Sequence, residues 1–213
     1  MWRVDTEEKK LLLREAVLAR RNSLTRHQCL FLSRAIQSRA IELLPYQVSR
    51  SVALYSATRN EVVTEDILDH ALFSGRRVFF PRTSAEGAAE FIGITSSADL
   101  CPGRYGIREP SGAELLGTSD RAALVVFVPG VAFDRMGNRL GRGKAWYDRV
   151  LAQLEDATII GLAYQFQIVE QVPVSAWDRK VHYIVTEDEI IDCGEASGAA
   201  PPVSQHKGRG CFH

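Results

Sequence analysis

Residues 129–150 read PGVAFDRMGNRLGRGKAWYDRV, an apolar run joined to a helical one through a segment dense in Gly, Arg and Lys. The stretch before it, Ala122 to Val128, is almost purely aliphatic. That is the pattern of a strand buried on both faces of a parallel sheet, and open α/β sheets place their ligands beyond the carboxyl ends of such strands. The composition that follows suits an anion. Gly137, Gly141 and Gly143 permit close backbone approach, and Arg139, Arg142 and Lys144 carry charge. A helix beginning near Lys144 would turn its positive dipole end toward the loop, so a phosphate is the expected ligand. GRGK has neither the spacing of GxxxxGK[ST] nor that of GxGxxG, so the nucleotide motifs add no support and a solvated turn is the bland alternative.

Working outward, Asp5 with Glu8 reads as a capping box, and Leu12, Leu13, Ala16, Val17 and Arg20 recur at helical spacing, predicting a helix over Thr6 to Asn22. Thr25 with Gln28 starts a second helix that ends before Pro45, its spacing carried by Leu30, Ala35, Ile36, Ala40, Ile41 and Leu44. Strands are expected at Ser51–Tyr55, at Arg77–Phe80 stopping at Pro81, and at Glu90–Ile94, with a helix capped by Thr64 running to Phe73. Ala98 to Gly117 reads as loop with a short helical piece near Ala113. Then come the central strand, a helix over Lys144–Leu154, a strand at Thr158–Tyr164 and a last one at Tyr183–Thr186. Strands alternating with helices predict an α/β fold: three layers, α/β/α, with a mostly parallel sheet flanked by helices. Residues 1–193 are expected to form a single domain, and the Gly, Ala, Pro and Ser-rich stretch 194–213 a disordered tail.

The chain has 213 residues, 46% hydrophobic, and zero formal net charge, enough to bury a core and without the basic surplus of a nucleic-acid binder. The opening residues MWRVDTEEKK do not read as a signal peptide, and no apolar run is long enough to span a membrane, so a cytoplasmic protein that engages neither is expected, monomeric or weakly homo-oligomeric. Cys29, Cys101, Cys193 and Cys211 lack CxxC or metal-ligand spacing and read as structural thiols.

Asp148 follows Lys144 by four residues, so a helix places both on one face. As an ordinary pair they are worth about 0.3–0.5 kcal/mol. As a ligand, Asp148 would help hold Mg²⁺ against phosphates, because that ion takes one or two carboxylates plus phosphate oxygens. Trp146 and Tyr147 are adjacent and cannot both face the core squarely, which leaves one to line a pocket or stack on a ring. Lys10 and Arg14 share a helix face and read as solvated by spacing alone. Glu61, between a strand and a helix cap, reaches the same sheet edge, an exposed loop acid being the bland alternative. None of the five histidines joins a Ser or Cys in a triad pattern.

PGVAFDRMGNRLGRGKAWYDR resembles the signature of the 5-formyltetrahydrofolate cyclo-ligase family, also called methenyltetrahydrofolate synthetase, roughly PGxxFDxxGxRLGxGxGYYD. KKLLLR, ALYSATRNEVVTEDI, VFFPR, YGIREP, QVPV and VHYIVTED fall at the family's places, so the resemblance spans about residues 6 to 190. It implies an ATP- and Mg²⁺-dependent ligase that converts 5-formyltetrahydrofolate to 5,10-methenyltetrahydrofolate, ADP and phosphate, the formyl oxygen taking the γ-phosphoryl group before N10 closes the ring. Such chemistry asks the protein mainly for positioning and charge neutralisation.

By the same resemblance Lys10 and Arg14 meet the nucleotide phosphates. Arg139, Leu140, Gly141, Arg142, Gly143, Lys144, Ala145, Trp146 and Tyr147 form the ATP-binding loop, with Arg142 and Lys144 catalytic at the transferred group. Asp148 and Asp178 are the implied Mg²⁺ ligands, and Ser56, Glu61, Tyr105, Trp146 and Tyr147 the implied folate contacts. Ala145 and Trp146 stand where the family has Gly and Tyr, and His182 where an acid is common. These departures make a non-catalytic folate- or nucleotide-binding protein the alternative. A sugar-phosphate isomerase is a more distant one, since the loop offers cations and aromatics rather than a positioned acid or base.

Overall fold

The computed structural model describes residues 6–84, 88–103, 106–143, 146–175 and 178–194. In chain order the elements are α1 (Thr6–Asn22), α2 (Arg26–Glu42), α3 (Leu44–Gln47), β1 (Ser51–Ala53), α4 (Glu65–Phe73), β2 (Arg77–Thr83) and β3 (Ala89–Ile94). There follow β4 (Leu100–Pro102), β5 (Arg108–Pro110), α5 (Thr118–Arg121), β6 (Leu124–Pro129), β7 (Ala132–Asp134) and β8 (Arg139–Leu140). The chain continues through α6 (Trp146–Leu151), β9 (Thr158–Leu162), β10 (Ile168–Val169), β11 (Tyr183–Val185) and β12 (Ile190–Asp192).

The main sheet runs β12-β11-β9-β6-β1-β2-β3, parallel from β11 to β2 and closed at each edge by an antiparallel strand. β6 lies in the middle, pairing Ser51 with Leu124 on one side and Val125 with Thr158 on the other. Its side chains alternate between two cores. Val125 and Phe127 pack with Ile36, Ala40 and Ile67 from α2 and α4, and Val126 and Val128 pack with Val150 and Leu151 from α6. Each such side chain taken from water contributes about 1.5–3 kcal/mol, and together they fix β6 between two helical layers. This is the expected α/β/α arrangement.

The crossovers leave on opposite faces. β1 reaches β2 through α4, and β6 reaches β9 through α6, so the crevice beyond the carboxyl ends of β1 and β6 is a topological switch point.

Several boundaries differ from expectation. β2 continues through Pro81, because β1 pairs with it only as far as Phe79 and leaves one side without a ladder for proline to break. The segment before β6 holds the β4–β5 hairpin and α5, with no helix at Ala113. α2 gives way at Leu43 to the separate turn α3, and β12 follows β11 as the last strand. α6 is shorter than the predicted helix, with residues 144 and 145 outside the described set. On α1, Leu11 and Leu12 are exposed while Lys10, Val17 and Arg21 are buried, so the helix docks through buried cations as well as through Leu13, Val17 and Leu18. The Thr25–Gln28 capping box forms as read, while Asp5 of the other box lies outside the described residues. Beyond Gly194 the tail also lies outside them. Cys29, Cys101 and Cys193 are unbridged. Cys101 is exposed, and burial pushes the Cys193 thiol up to about 11. No helix among the described residues is long and apolar enough to cross a membrane.

What reads in sequence as a loop after β6 begins as a hairpin. β7 and β8 pair antiparallel, β10 joins β7, and α1 covers this small sheet through Val17 against Val131, Ala132 and Leu140. Buried Asp134 holds the turn, accepting from the backbone N–H of Met136 and Asn138 and from Asn138 Nδ2, and it also accepts Val172 N–H at 3.0 Å. Gly137 sits in that turn at φ +80°, where a Cβ would lie 2.4 Å from the carbonyl oxygen of Val181. Gly137→Ala is therefore expected to cost well over the roughly 1–2 kcal/mol of left-handed strain alone. Gly75→Ala, at φ +74° in open space, is the control that measures that strain. Urea midpoints of the two variants check the difference.

Candidate active site

The site begins where β1 ends. Arg59 and Asn60 take positive φ, 47° and 59°, and so turn the chain to bring Glu61 back over the crevice. Glu61 Oε2 accepts from Thr58 N–H at 3.0 Å and from its hydroxyl at 3.3 Å. Its other oxygen, Oε1, accepts two hydrogen bonds from Arg142, from Nη2 at 3.0 Å and Nε at 3.3 Å, across the switch point. A second guanidinium, Arg21 from α1, lies 3.9 Å from the same Oε1. Asn60 Nδ2 donates to the carbonyls of Arg21 and Leu24, tying the end of α1 to this turn.

The loop's cations divide by burial. The Arg139 side chain is 3% exposed; its Nη2 donates to Asp148 Oδ1 at 2.8 Å and its guanidinium lies 5.4 Å from the centre of the Tyr147 ring. Arg142 is one-third exposed at its side chain. Arg14 donates from Nε to the carbonyl of Gly141 at 3.0 Å, and Gly143, at φ +92°, passes close beside its guanidinium. Lys10, buried, donates to Ser175 Oγ at 2.8 Å and to Asp178 Oδ2 at 3.0 Å. Among the described residues of this cluster, five cations (Lys10, Arg14, Arg21, Arg139, Arg142) face four carboxylates, Glu61, Asp148, Asp178 and the exposed Glu7. The excess is positive, as a site for a polyanion requires.

Tyr147 is half-buried and shared by both cores, and burial followed by the nearby Glu61 carboxylate raises its phenol well above the ordinary range. It is therefore a neutral donor at physiological pH. Trp146 packs edge-on against Phe91 at 6.3 Å and Tyr147 at 4.9 Å, so its ring is held by the core beneath α6. Leu140 is buried in the small core, and its carbonyl accepts Val131 N–H. Ser56 donates to the carbonyl of Arg108 at 2.6 Å, joining the end of β1 to the β4–β5 hairpin. His182 accepts Ile159 N–H at Nδ1, a structural bond at the start of β11. Lys144, Ala145 and Tyr105 lie outside the described residues.

Asp148 and Asp178 are thus each engaged by a different buried cation, and no group of three His, Cys, Asp or Glu side chains among the described residues is placed to hold a metal. A Mg²⁺ that arrives with phosphates takes one or two carboxylates rather than an all-protein cage, and here either carboxylate would have to share its oxygens with the cation it already holds. Sequence reasoning missed Arg21, Asn60, Asp134 and Gln167. The only signal for Arg21 was its place on the line 10, 14, 17, 21 of one helix face.

The model of the 5-formyltetrahydrofolate cyclo-ligase family matches residues 6–187. The chain is 30% identical over 205 residues to the 5-formyltetrahydrofolate cyclo-ligase of Mus musculus, covering 88% of this chain and 98% of the relative. Against the Escherichia coli (strain K12) protein of the same name it is 28% identical over 179 residues, covering 80% and 96%. The solved structure of Aquifex aeolicus 5,10-methenyltetrahydrofolate synthetase matches with a TM-score of 0.78 at 32% identity, over 92% of this chain and 98% of that one.

The division of the cations is testable. Arg139→Met is expected to destabilise the fold by about 3 kcal/mol, because it strands a mostly buried carboxylate. Arg142→Ala is expected to cost only about 1 kcal/mol, since its partner keeps other donors. Urea denaturation of both variants gives the comparison.

Proposed function

We infer the chemistry from one premise: this chain belongs to the 5-formyltetrahydrofolate cyclo-ligase family. It is proposed to convert 5-formyltetrahydrofolate and ATP to 5,10-methenyltetrahydrofolate, ADP and phosphate. The observation that carries the reading is the cation-rich loop at the switch point, with its positive excess facing the carboxyl ends of β1 and β6.

In this reading the formyl oxygen takes the γ-phosphoryl group, N10 attacks the activated carbon, and the oxygen leaves as phosphate. Bound Mg²⁺ would supply charge neutralisation between the phosphates, beside Asp148 and Asp178. Lys10 and Arg14, on one line of α1, hold the nucleotide phosphates against the Arg139–Tyr147 loop. Arg142 meets the transferred group by leaving Glu61, and Lys144 is proposed to act beside it on the same group. Glu61, Ser56, Tyr105 and the Trp146–Tyr147 pair line the folate side. The neutral phenol of Tyr147 donates a hydrogen bond there without adding charge. The protein's contribution is then to place two substrates in line and to hold a fixed field of cations around them, on which phosphoryl transfer chiefly depends.

Purified protein given 5-formyltetrahydrofolate with MgATP is expected to develop the methenyl absorbance, and to develop none when ATP is withheld. No absorbance at high enzyme concentration would defeat the assignment, and tight folate binding without turnover would favour a binding protein. Lys144→Ala is expected to lower kcat about 100-fold or more while leaving the melting temperature nearly unchanged, as for removal of a donor that acts on developing charge.

A further inference from the structure

Arg21 is a buried group the reaction scheme does not use. Its side chain is 1% exposed, at the foot of α1. Nη1 donates to the carbonyl of Gly130 at 3.0 Å, an oxygen that also accepts Gln167 Nε2 at 2.9 Å. Nε and Nη2 are buried without a hydrogen-bond partner among the described residues. A bare guanidinium N–H in a protein interior is costly, and a fold that retains one calls for a reason.

The reason lies in what shares its carboxylate. Glu61 Oε1 receives both bonds of Arg142, while Arg21 Nη2 waits 3.9 Å away. Burial pulls the Arg21 pKa down, the neighbouring Glu61 holds it up, and Arg142 adds repulsion, as expected for two cations at one anion. Arg142 is the solvent-facing member, on the loop beside Gly141 and Gly143; Arg21 is fixed by Gly130 and by the Asn60 bonds to its own carbonyl. If Arg142 turns to an incoming anion, Oε1 loses two bonds, and an approach of about 1 Å brings Arg21 Nη2 into hydrogen-bond range.

We propose that Arg21 is a positioning residue: it is the fixed counter-ion that takes over Glu61, and keeps it aimed into the crevice, when Arg142 is drawn to an anionic ligand. The identity of that ligand rests on the proposed activity. The exchange itself does not.

The test is a coupling measurement with a kinetic arm. Unfolding equilibria in urea for Arg21→Lys, Glu61→Gln and the double variant give the coupling between the two positions, first in the natural chain and then in one carrying Arg142→Ala. A hand-over predicts that coupling rises about tenfold, as an equilibrium constant, once Arg142 is gone. Unchanged coupling overturns it. Arg21→Gln, which keeps a neutral donor toward Gly130, is the second variant should Arg21→Lys fail to fold. In turnover, Arg21→Lys is expected to lower kcat about tenfold, to leave KM for ATP within about threefold, and to add nothing in the Glu61→Gln background. A loss that adds to that of Glu61→Gln, or one confined to stability, also overturns the proposal. Absence of turnover by the natural chain would instead defeat the proposed activity, with the urea arm still deciding the exchange.

Discussion

A guanidinium removed from water is destabilising by several kcal/mol unless oxygen surrounds it, and that constraint organises this site. The inward side of α1 docks Val17, Leu13 and Leu18 against the small core, while Lys10, Arg14 and Arg21 find Asp178, the carbonyl of Gly141, and the carbonyl of Gly130. Two of the three acceptors, Gly130 and Gly141, lie on the segment that follows β6. The same bonds that fasten the helix therefore set the positions of the charges a polyanion would meet. In the proposed function, stability and binding would draw on one set of side chains, with burial rather than residue type separating Arg139 from Arg142.

The sheet decides where this happens. Because α4 and α6 leave β1 and β6 on opposite faces, the chain parts between those two strands, and both following loops must bend over the gap. Glu61 comes from one loop and Arg142 from the other. Their pairing closes the gap, with Asp134 and Gly137 stiffening the hairpin from which Arg142's loop extends.

Much of this was legible in the residues. The aliphatic run before Pro129 identified the central strand, the alternation of strands and helices gave the three layers, and the family resemblance brought out Lys10, Arg14 and Glu61. What was not legible depends on contacts across long stretches of chain. The hairpin within 132–140 has too few residues per strand to show a period of two. Its turn is read only once Asp134 is seen accepting from Asn138 and Val172. Leu12 fits an apolar stripe by spacing, yet is exposed, because the helix turns Leu13, Val17 and Leu18 to the small core and Lys10 and Arg21 to oxygen acceptors. Arg21 had only its place on the line 10, 14, 17, 21 to mark it, and that spacing does not say that a cation near the end of a helix will be buried.

The bonds that fix α1 also bear on how the molecule comes into being. Arg21 reaches Gly130 across 109 positions, Arg14 reaches Gly141 across 127, and Lys10 reaches Asp178 across 168. α1 is made well before these acceptors, so its cations must wait for them before they can pair. Contacts of such separation form late, after the loop-closure entropy of the intervening chain has been overcome. Until then the helix would keep Lys10, Arg14 and Arg21 in water, which offsets the tendency of Leu13, Val17 and Leu18 to associate during synthesis. The cations in the docking surface thus tie assembly of the site to the arrival of distant acceptors.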